Sequence, residues 1–459
     1  MVATQRLSHP RSRLWTQIGL AIFLSLIAPT AIYATADLVF GLPLAEVVYI
    51  IIVVSISLTA TLIWVEQLLA FRPVDLPPPL SSGRAEPAAT AIIAAYLPNE
   101  ADQLLEVIEA FRRIPYPATL QIILAYTTPA PMAIEEKLKE IGLRDPRFLP
   151  LNIPARNKAE AVNVALGQVV GEFVGVFDAD HLPHADAFVR AWRWLAAGYD
   201  AVQGRATVRN AHESWVARLV AVEFESIYGV SHPGRTRLHG FGLFGGSNGY
   251  WNTRVLRGLQ LRPALLTEDI DLSIRALSAG HRIATDPHLI SSELAPTRLA
   301  ALWNQRLRWA QGWFQVALQD TSAAVRSPRV RLRQKLGVVH LLPWREAYSW
   351  IALQVLPVIA VISAKYGGPH RLNWFVPLFV ASTILAWSAW VLQAFCAWQL
   401  AVPDLRRRGG WFVWFWMVSF VFYTHFKHLV TVVAQMKELM RETEWKITPR
   451  SLQSPGIER

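Results

Sequence analysis

The sequence predicts an α/β protein: a mostly parallel sheet flanked by helices, inserted between N-terminal and C-terminal transmembrane helices. Three observations carry this. Apolar residues, 53% of the chain, gather at its two ends. Short apolar runs alternate with helical patterns through the middle, and acidic clusters follow some of those runs.

Leu14 to Ala36 and Val47 to Val65 contain no Lys, Arg, Asp or Glu, and each is long enough to cross a hydrocarbon core of about 30 Å as a helix. Residues 1–72 therefore read as a tail with two transmembrane helices. Arg6, Arg11 and Arg13 precede the first as the n-region of a cleaved signal would, but a second apolar helix follows closely, which favours retention. These arginines put the N-terminus in the cytoplasm, since the connector from Asp37 to Glu46 has no Lys or Arg. The polar middle is then cytosolic. Pro73, Pro77, Pro78, Pro79 and Ser81-Ser82-Gly83 break the helix into a linker over 73–87.

A soluble domain is expected over 88–320. Apolar runs at Ala91 to Tyr96, Leu120 to Tyr126 and Phe173 to Phe177 are separated by helical patterns near Ala101 to Arg113 and Ala133 to Ile141. Strands apolar on both faces and divided by helices indicate a parallel sheet covered on both sides, in which ligands bind beyond the carboxyl ends. No Walker pattern is present, and the one match to Gly-x-Gly-x-x-Gly, Gly240 to Gly245, lacks the strand and helix that would give it meaning.

The third strand ends in Asp178-Ala179-Asp180-His181. In extended backbone Asp178 and Asp180 point to one side, and two hard oxygen donors suit Mg²⁺ or Mn²⁺ bridging phosphates; alone, the pair equally describes an acidic turn. Arg156-Asn157-Lys158 opens a helical pattern whose N-terminal donors and Lys158 suit an anion, or a solvated face. His239 to Trp251 is rich in Gly and aromatics, either for close approach to a ligand or for tight packing under the sheet. Leu265 to Trp309 opens with carboxylates at Thr267-Glu268-Asp269-Ile270-Asp271 and closes with Gln305-Arg306-Leu307-Arg308-Trp309. That pairing places a group to activate a nucleophile near one to hold an anionic leaving group.

A single cysteine, Cys396, excludes an intrachain disulfide and a cysteine zinc cluster. The formal charge is +11, and the acid-free run Arg326, Arg329, Arg331, Arg333 and Lys335 precedes apolar sequence. With no nucleic-acid motif beside it, its expected partner is anionic membrane lipid, not nucleic acid, making 321–346 a basic interfacial segment. Apolar stretches at Ala347 to Ala364, Asn373 to Val402 and Trp411 to Val433 form a membrane part over 347–438. His425, Lys427 and His428 interrupt the last, leaving a piece of about 14 residues that fits an interfacial or re-entrant element better than a span. The tail, 439–459, is then cytosolic. Gln354, Gln393 and Gln399 either line a sugar channel or bond helix to helix.

Taken in order, Asp178-Ala179-Asp180, Thr267-Glu268-Asp269 and Gln305-Arg306-Leu307-Arg308-Trp309, set between membrane helices, resemble the membrane-integrated family 2 glycosyltransferases, the cellulose, chitin and hyaluronan synthases. The resemblance covers roughly Ala91 to Trp309 and implies a GT-A-like fold. It implies that Asp178 and Asp180 bind a nucleotide diphosphate with Mg²⁺ or Mn²⁺, Asp180 the more directly, and that Asp269 is the general base beside Glu268. Tyr96 to Glu100 resembles the first nucleotide loop, and Lys158 matches a Lys-Ala-x-Ala-x-Asn element at the donor. Arg308 is placed on the diphosphate, while Gly246, Ser247, Gln305, Arg306 and Trp309 face the acceptor. The tail from Trp445 to Arg450 resembles a Trp-x-x-Thr-x-Arg segment kept in the cytosol by relatives.

One position departs from the family. Its second strand ends in an aspartate for the nucleobase, whereas here the strand runs into Ala125-Tyr126-Thr127-Thr128-Pro129, leaving Tyr126 to stack and Thr127 to hydrogen-bond. The resulting expectation is an inverting hexosyltransferase of the plasma (inner) membrane, its catalytic domain cytosolic. It would move sugar from a nucleotide-sugar, a UDP-sugar by family, to a growing β-linked polysaccharide, with room for accessory secretion proteins. Single-sugar transfer to a lipid acceptor and a catalytically silent scaffold are the alternatives.

Overall fold

The computed structural model describes residues 10–74, 76–77 and 86–442. Arg6, the linker residues 78–85 and the tail segment holding Trp445 lie outside these.

The domain is built on eight strands: β1 Ala89–Tyr96, β2 Leu120–Thr127, β3 Phe148–Asn152, β4 Phe173–Asp178, β5 Leu182–Pro183, β6 Ala201–Val208, β7 Gly249–Asn252 and β8 Ile283–Glu293. They lie in the order β3-β2-β1-β4-β7-β6-β8-β5. The β3-β2-β1-β4 half is parallel, as expected. The sheet as a whole is mixed, because β7 runs antiparallel to both neighbours and β5 antiparallel to β8. β7 had been absorbed into the glycine-rich loop; Gly249 and Asn252 frame only two apolar residues, too few for a strand period to show.

Alternate side chains of the parallel half enter two cores. Ala91 and Ile93 of β1 pack with Leu104, Val107 and Phe111 of helix Leu97–Arg112. Ile92 and Ala94 pack with Ala161, Val162 and Ala165 of helix Lys158–Ala165. Each buried Ile, Leu, Val or Phe side chain among these contributes about 1.5–3 kcal/mol. The sheet is thereby fixed from both sides, and the carboxyl ends of β1 and β4 are held level, with Ala94 paired to Asp178.

Five helices are long and apolar enough to cross a membrane: Trp15–Val39, Leu44–Ala70, Leu332–Tyr366, Phe375–Gln399 and Gly409–Leu439. The boundary drawn at 346 falls inside the third. On that helix Leu332, Leu336 and Val339 are exposed on one face, a spacing that turns an apolar stripe outward. At the far end of helix Leu44–Ala70, Lys365 Nζ lies 2.9 Å from both Asp37 Oδ1 and Glu46 Oε1, pinning the first, second and third of these helices together.

The expected interruption of the last helix is absent. Gly409–Leu439 is continuous: Lys427 Nζ reaches Glu223 Oε1 at 3.5 Å and the His428 ring lies edge-on to Tyr348. Arg408, just before its start, contacts His212 at 3.3 Å. Tyr423, midway, donates to Glu223 Oε2 at 2.7 Å. Near its end, Glu438 Oε2 accepts from Gln311 at 3.0 Å and Gln315 at 2.8 Å. The helix therefore touches the α/β domain at its beginning, middle and end.

Candidate active site

The site assembles at the carboxyl ends of β1 and β4. Asn157 caps helix Lys158–Ala165, its side chain accepting from Glu160 N at 3.1 Å, which fixes Lys158 at the first turn. Lys158 Nζ meets Asp178 Oδ1 at 2.6 Å and the Gly246 carbonyl at 2.5 Å. Asp178 N donates to Ser247 Oγ at 3.1 Å. Lys158, Gly246 and Ser247 thus join the acidic strand end to the glycine loop.

Asp180 is buried, with Oδ2 accepting from Leu294 N at 3.2 Å. Potential ligand atoms of Asp178, Asp180 and His181 lie within 4.8 Å of one another. His181 is already engaged, Nδ1 at 3.0 Å from Ser291 Oγ and Nε2 at 2.9 Å from Glu293 Oε2. Asp178 and Asp180 supply two carboxylates, one oxygen of each already accepting from Lys158 and from Leu294 N, and this all-oxygen pair at a strand end fits Mg²⁺ or Mn²⁺.

Thr267-Glu268-Asp269 forms the start of helix Glu268–Ala279. Asp269 Oδ1 accepts from Ile270 N at 2.9 Å, leaving Oδ2 toward Gly246. A Cβ on Gly246 would lie 2.9 Å from that oxygen, and its φ of +85° is one few other residues tolerate. Burial, then the adjacent Glu268, raises the Asp269 carboxyl to about 7, opposed by the Ile270 amide, Lys158 and Arg308. Burial also pushes Glu268 up, against Lys158 and Arg308. Despite burial, Asp178 and Glu268 hold Lys158 above its ordinary value. A carboxyl poised near neutrality between two cations is suited to taking a proton from a hydroxyl.

Arg308 Nη1 donates to the Leu266 carbonyl at 3.0 Å, next to the Thr267 turn. Tyr96 stands at the end of β1, but the turn expected from Tyr96 to Glu100 is the beginning of helix Leu97–Arg112. There the Glu100 carboxylate accepts from Tyr96 N at 2.6 Å, so one oxygen serves to cap the helix. Gln305 and Trp309 are half-buried on helix Leu299–Arg326.

Arg306, expected at the acceptor, is held by partners within the protein. Arg306 is buried, bonded to Glu223 Oε2 at 2.6 Å, with its guanidinium 4.3 Å above the Trp309 ring. It is enclosed, with its guanidinium packed against Trp309. The substitutes suggested for the missing nucleobase aspartate are also engaged elsewhere: Tyr126 OH donates to Glu135 at 3.0 Å and Thr127 Oγ1 to the Ile153 carbonyl at 2.8 Å.

Two residues were missed. Tyr228 sits in the π-helical segment Glu225–Ser231, its hydroxyl 3.1 Å from where a Cβ on Gly245 would be. Burial, then Glu293 and Asp269, push that hydroxyl far up. An aromatic residue in an apolar helix carries no sequence signal of this kind. Gly312 is the other: a Cβ there would lie 2.6 Å from the Thr267 side chain and 2.7 Å from its backbone nitrogen. Gly312→Ala is expected to displace the Thr267 turn and lower turnover by about 10²-fold, since misplacing a catalytic group by about 1 Å costs that much. An assay of purified variant with near wild-type melting would check it.

Residues 87–312 match the family model described as glycosyltransferase-like family 2. The chain is 30% identical over 191 residues to poly-beta-1,6-N-acetyl-D-glucosamine synthase of Staphylococcus aureus, covering 39% of this chain and 43% of that one. It is 25% identical over 258 residues to the Staphylococcus epidermidis synthase of the same name, covering 52% and 58%. The chain thus spans about half the length of the curated relatives it matches. Among solved structures, the mannosyltransferase PcManGT from Pyrobaculum calidifontis in complex with GDP-Man and Mn²⁺ is similar in fold. Its TM-score is 0.59 at 20% identity, over 87% of this chain and 99% of that one.

Proposed function

We propose that this chain is an inverting hexosyltransferase that takes sugar from a nucleotide-sugar, a UDP-sugar in the first instance, and adds it to a growing β-linked polysaccharide. The observation that carries this is Asp269, a carboxyl at about 7 in a pocket shared with Lys158, Asp178 and Arg308. As a general base it takes the acceptor hydroxyl's proton while that oxygen attacks the anomeric carbon and the nucleoside diphosphate leaves. Arg308 and Lys158 supply positive charge where the departing diphosphate gains negative charge. Asp178 and Asp180 would hold Mg²⁺ or Mn²⁺, which neutralises diphosphate when bound. The named synthase relatives support the polymer reading.

In this reading the membrane is the inner membrane, the catalytic domain is cytosolic, and anionic lipids meet the basic run. The helix Gly409–Leu439 lies along the membrane surface, since Arg408, Tyr423 and Glu438 all meet the same cytosolic domain. A tag after Arg459 protected inside sealed right-side-out vesicles supports that placement; exposure on the outer face overturns it.

A second reading, transfer to a membrane lipid, is favoured by a cavity of about 500 Å³ lined by Leu24, Phe314, Leu318, Pro343, Trp350 and Leu439. It adjoins the helix that carries Trp309 and suits an acyl chain. Detergent-solubilised protein incubated with labelled nucleotide-sugars separates the readings by product size: polymer, glycolipid or, for a silent scaffold, neither.

The pH dependence follows from Asp269. Because the base must be ionised, kcat/KM is expected to rise with pH through about 7. Glu268→Gln removes the charge that raises Asp269 and is expected to move the rise to lower pH; an unchanged profile in the variant would contradict the coupling.

A further inference from the structure

We propose that Glu66, His239 and His340 form a second metal site, for a transition ion of the zinc class, where the α/β domain meets the membrane helices. The three come from separate elements: Glu66 near the end of helix Leu44–Ala70, His239 closing helix His232–His239, and His340 in the helical run Leu332–Tyr366. One potential ligand atom from each lies within 4.8 Å of the others. This group is distinct from Asp178, Asp180 and His181.

The spacing suits an ion. His239 Nε2 and His340 Nδ1 are 3.1 Å apart, and His340 Nδ1 is 4.0 Å from Glu66 Oε1. A tetrahedral zinc with bonds of about 2.0–2.1 Å sets its ligand atoms roughly 3.3 Å apart. The two nitrogens already stand near that separation, and the carboxylate has less than about 1 Å to close toward His340. Whichever ring donates in this contact would move that proton to its other nitrogen when an ion takes its place; the accepting ring already carries its proton there.

The surroundings agree. Glu66 is 2% and His239 5% exposed, so bulk water does not compete for them. Arg235 Nε lies 3.1 and 3.0 Å from the two Glu66 oxygens, orienting the carboxylate as outer contacts of metal ligands do. Its charge opposes a dication, and the carboxylate offsets that. Gly337 leaves space for the His239 ring, which a Cβ there would meet at 2.6 Å. Two imidazoles and one carboxylate leave a fourth position for water. Bound metal would tie the second and third membrane helices to the catalytic domain.

The test uses the full chain in detergent, stripped with chelator, loaded with zinc chloride, gel-filtered and analysed for zinc per chain. Wild type and the double variant Asp178→Asn/Asp180→Asn are expected to retain one zinc. His239→Gln and His340→Gln are expected to bind at least tenfold more weakly. Cobalt loading should give the visible bands of a four-coordinate nitrogen-ligated ion in wild type and in the Asp178/Asp180 variant, and in neither histidine variant. His340 is the more exposed histidine, so His340→Gln, with unchanged gel filtration and metal-free melting, decides the matter. Retention of zinc by His340→Gln overturns the proposal, as does loss of all zinc from the Asp178/Asp180 variant or failure of wild type to retain any.

Discussion

Asp269→Asn is expected to reduce sugar transfer by roughly 10²- to 10⁴-fold, the usual contribution of a positioned base, while making the protein more stable at neutral and alkaline pH. The second half follows from linkage. Folding raises this carboxyl from its ordinary range to about 7, so its favourable contribution is complete below the unfolded value and is lost as pH climbs toward 7. Asparagine keeps the shape without the buried charge, and a rise in melting temperature of a few degrees at pH 8 is the expected size. Labelled-sugar assays and thermal melts on one preparation read both effects. Transfer at wild-type rate would remove Asp269 from the chemistry.

Asp180→Asn carries the next largest effect. Asp180 is buried between the β4 end and Leu294 N, so an amide there weakens ion binding with little room to rearrange. Turnover is expected to fall by at least about 10²-fold. Chelation should mimic the variant in wild type, and added Mn²⁺ should restore wild type only. Asp178→Asn has a further consequence, since it releases Lys158 Nζ from its 2.6 Å partner and should raise the KM for donor as well. A chelator-resistant wild type would count against both carboxylates.

The parts of this site that were legible are those whose chemistry is compressed into a few neighbouring residues. Asp178 closes a strand whose residues are nearly all buried, but Ala179 and Asp180 lie in the turn beyond it, so the two-residue period expected to carry both carboxylates stops at Asp178. Thr267-Glu268-Asp269 opens a helix because an acidic first turn suits a helix N-terminus. What escaped depends on partners far apart in the chain. Glu223 joins Arg306, Tyr423 and Lys427 across 83 to 204 residues, and nothing local marks Arg306 as enclosed. Gly312 reads as a mild helix defect until Thr267 is seen against it. The polar residues of the last helix pointed to a break, yet Lys427 and His428 face Glu223 and Tyr348, neighbours that only the folded chain provides.

Glu438 reaches Gln315, and Gln315 Oε1 accepts from Leu266 N at 3.1 Å, one residue before the Thr267 turn. Two side chains therefore link the distal end of the polypeptide to the peptide that carries the base. A fragment cut at 330 to obtain a water-soluble enzyme would lose that brace, and with it Tyr423 against Glu223. Such a fragment is expected to retain its sheet and lose its turnover: the membrane portion finishes the catalytic centre, and the two cannot be separated by choosing a domain boundary.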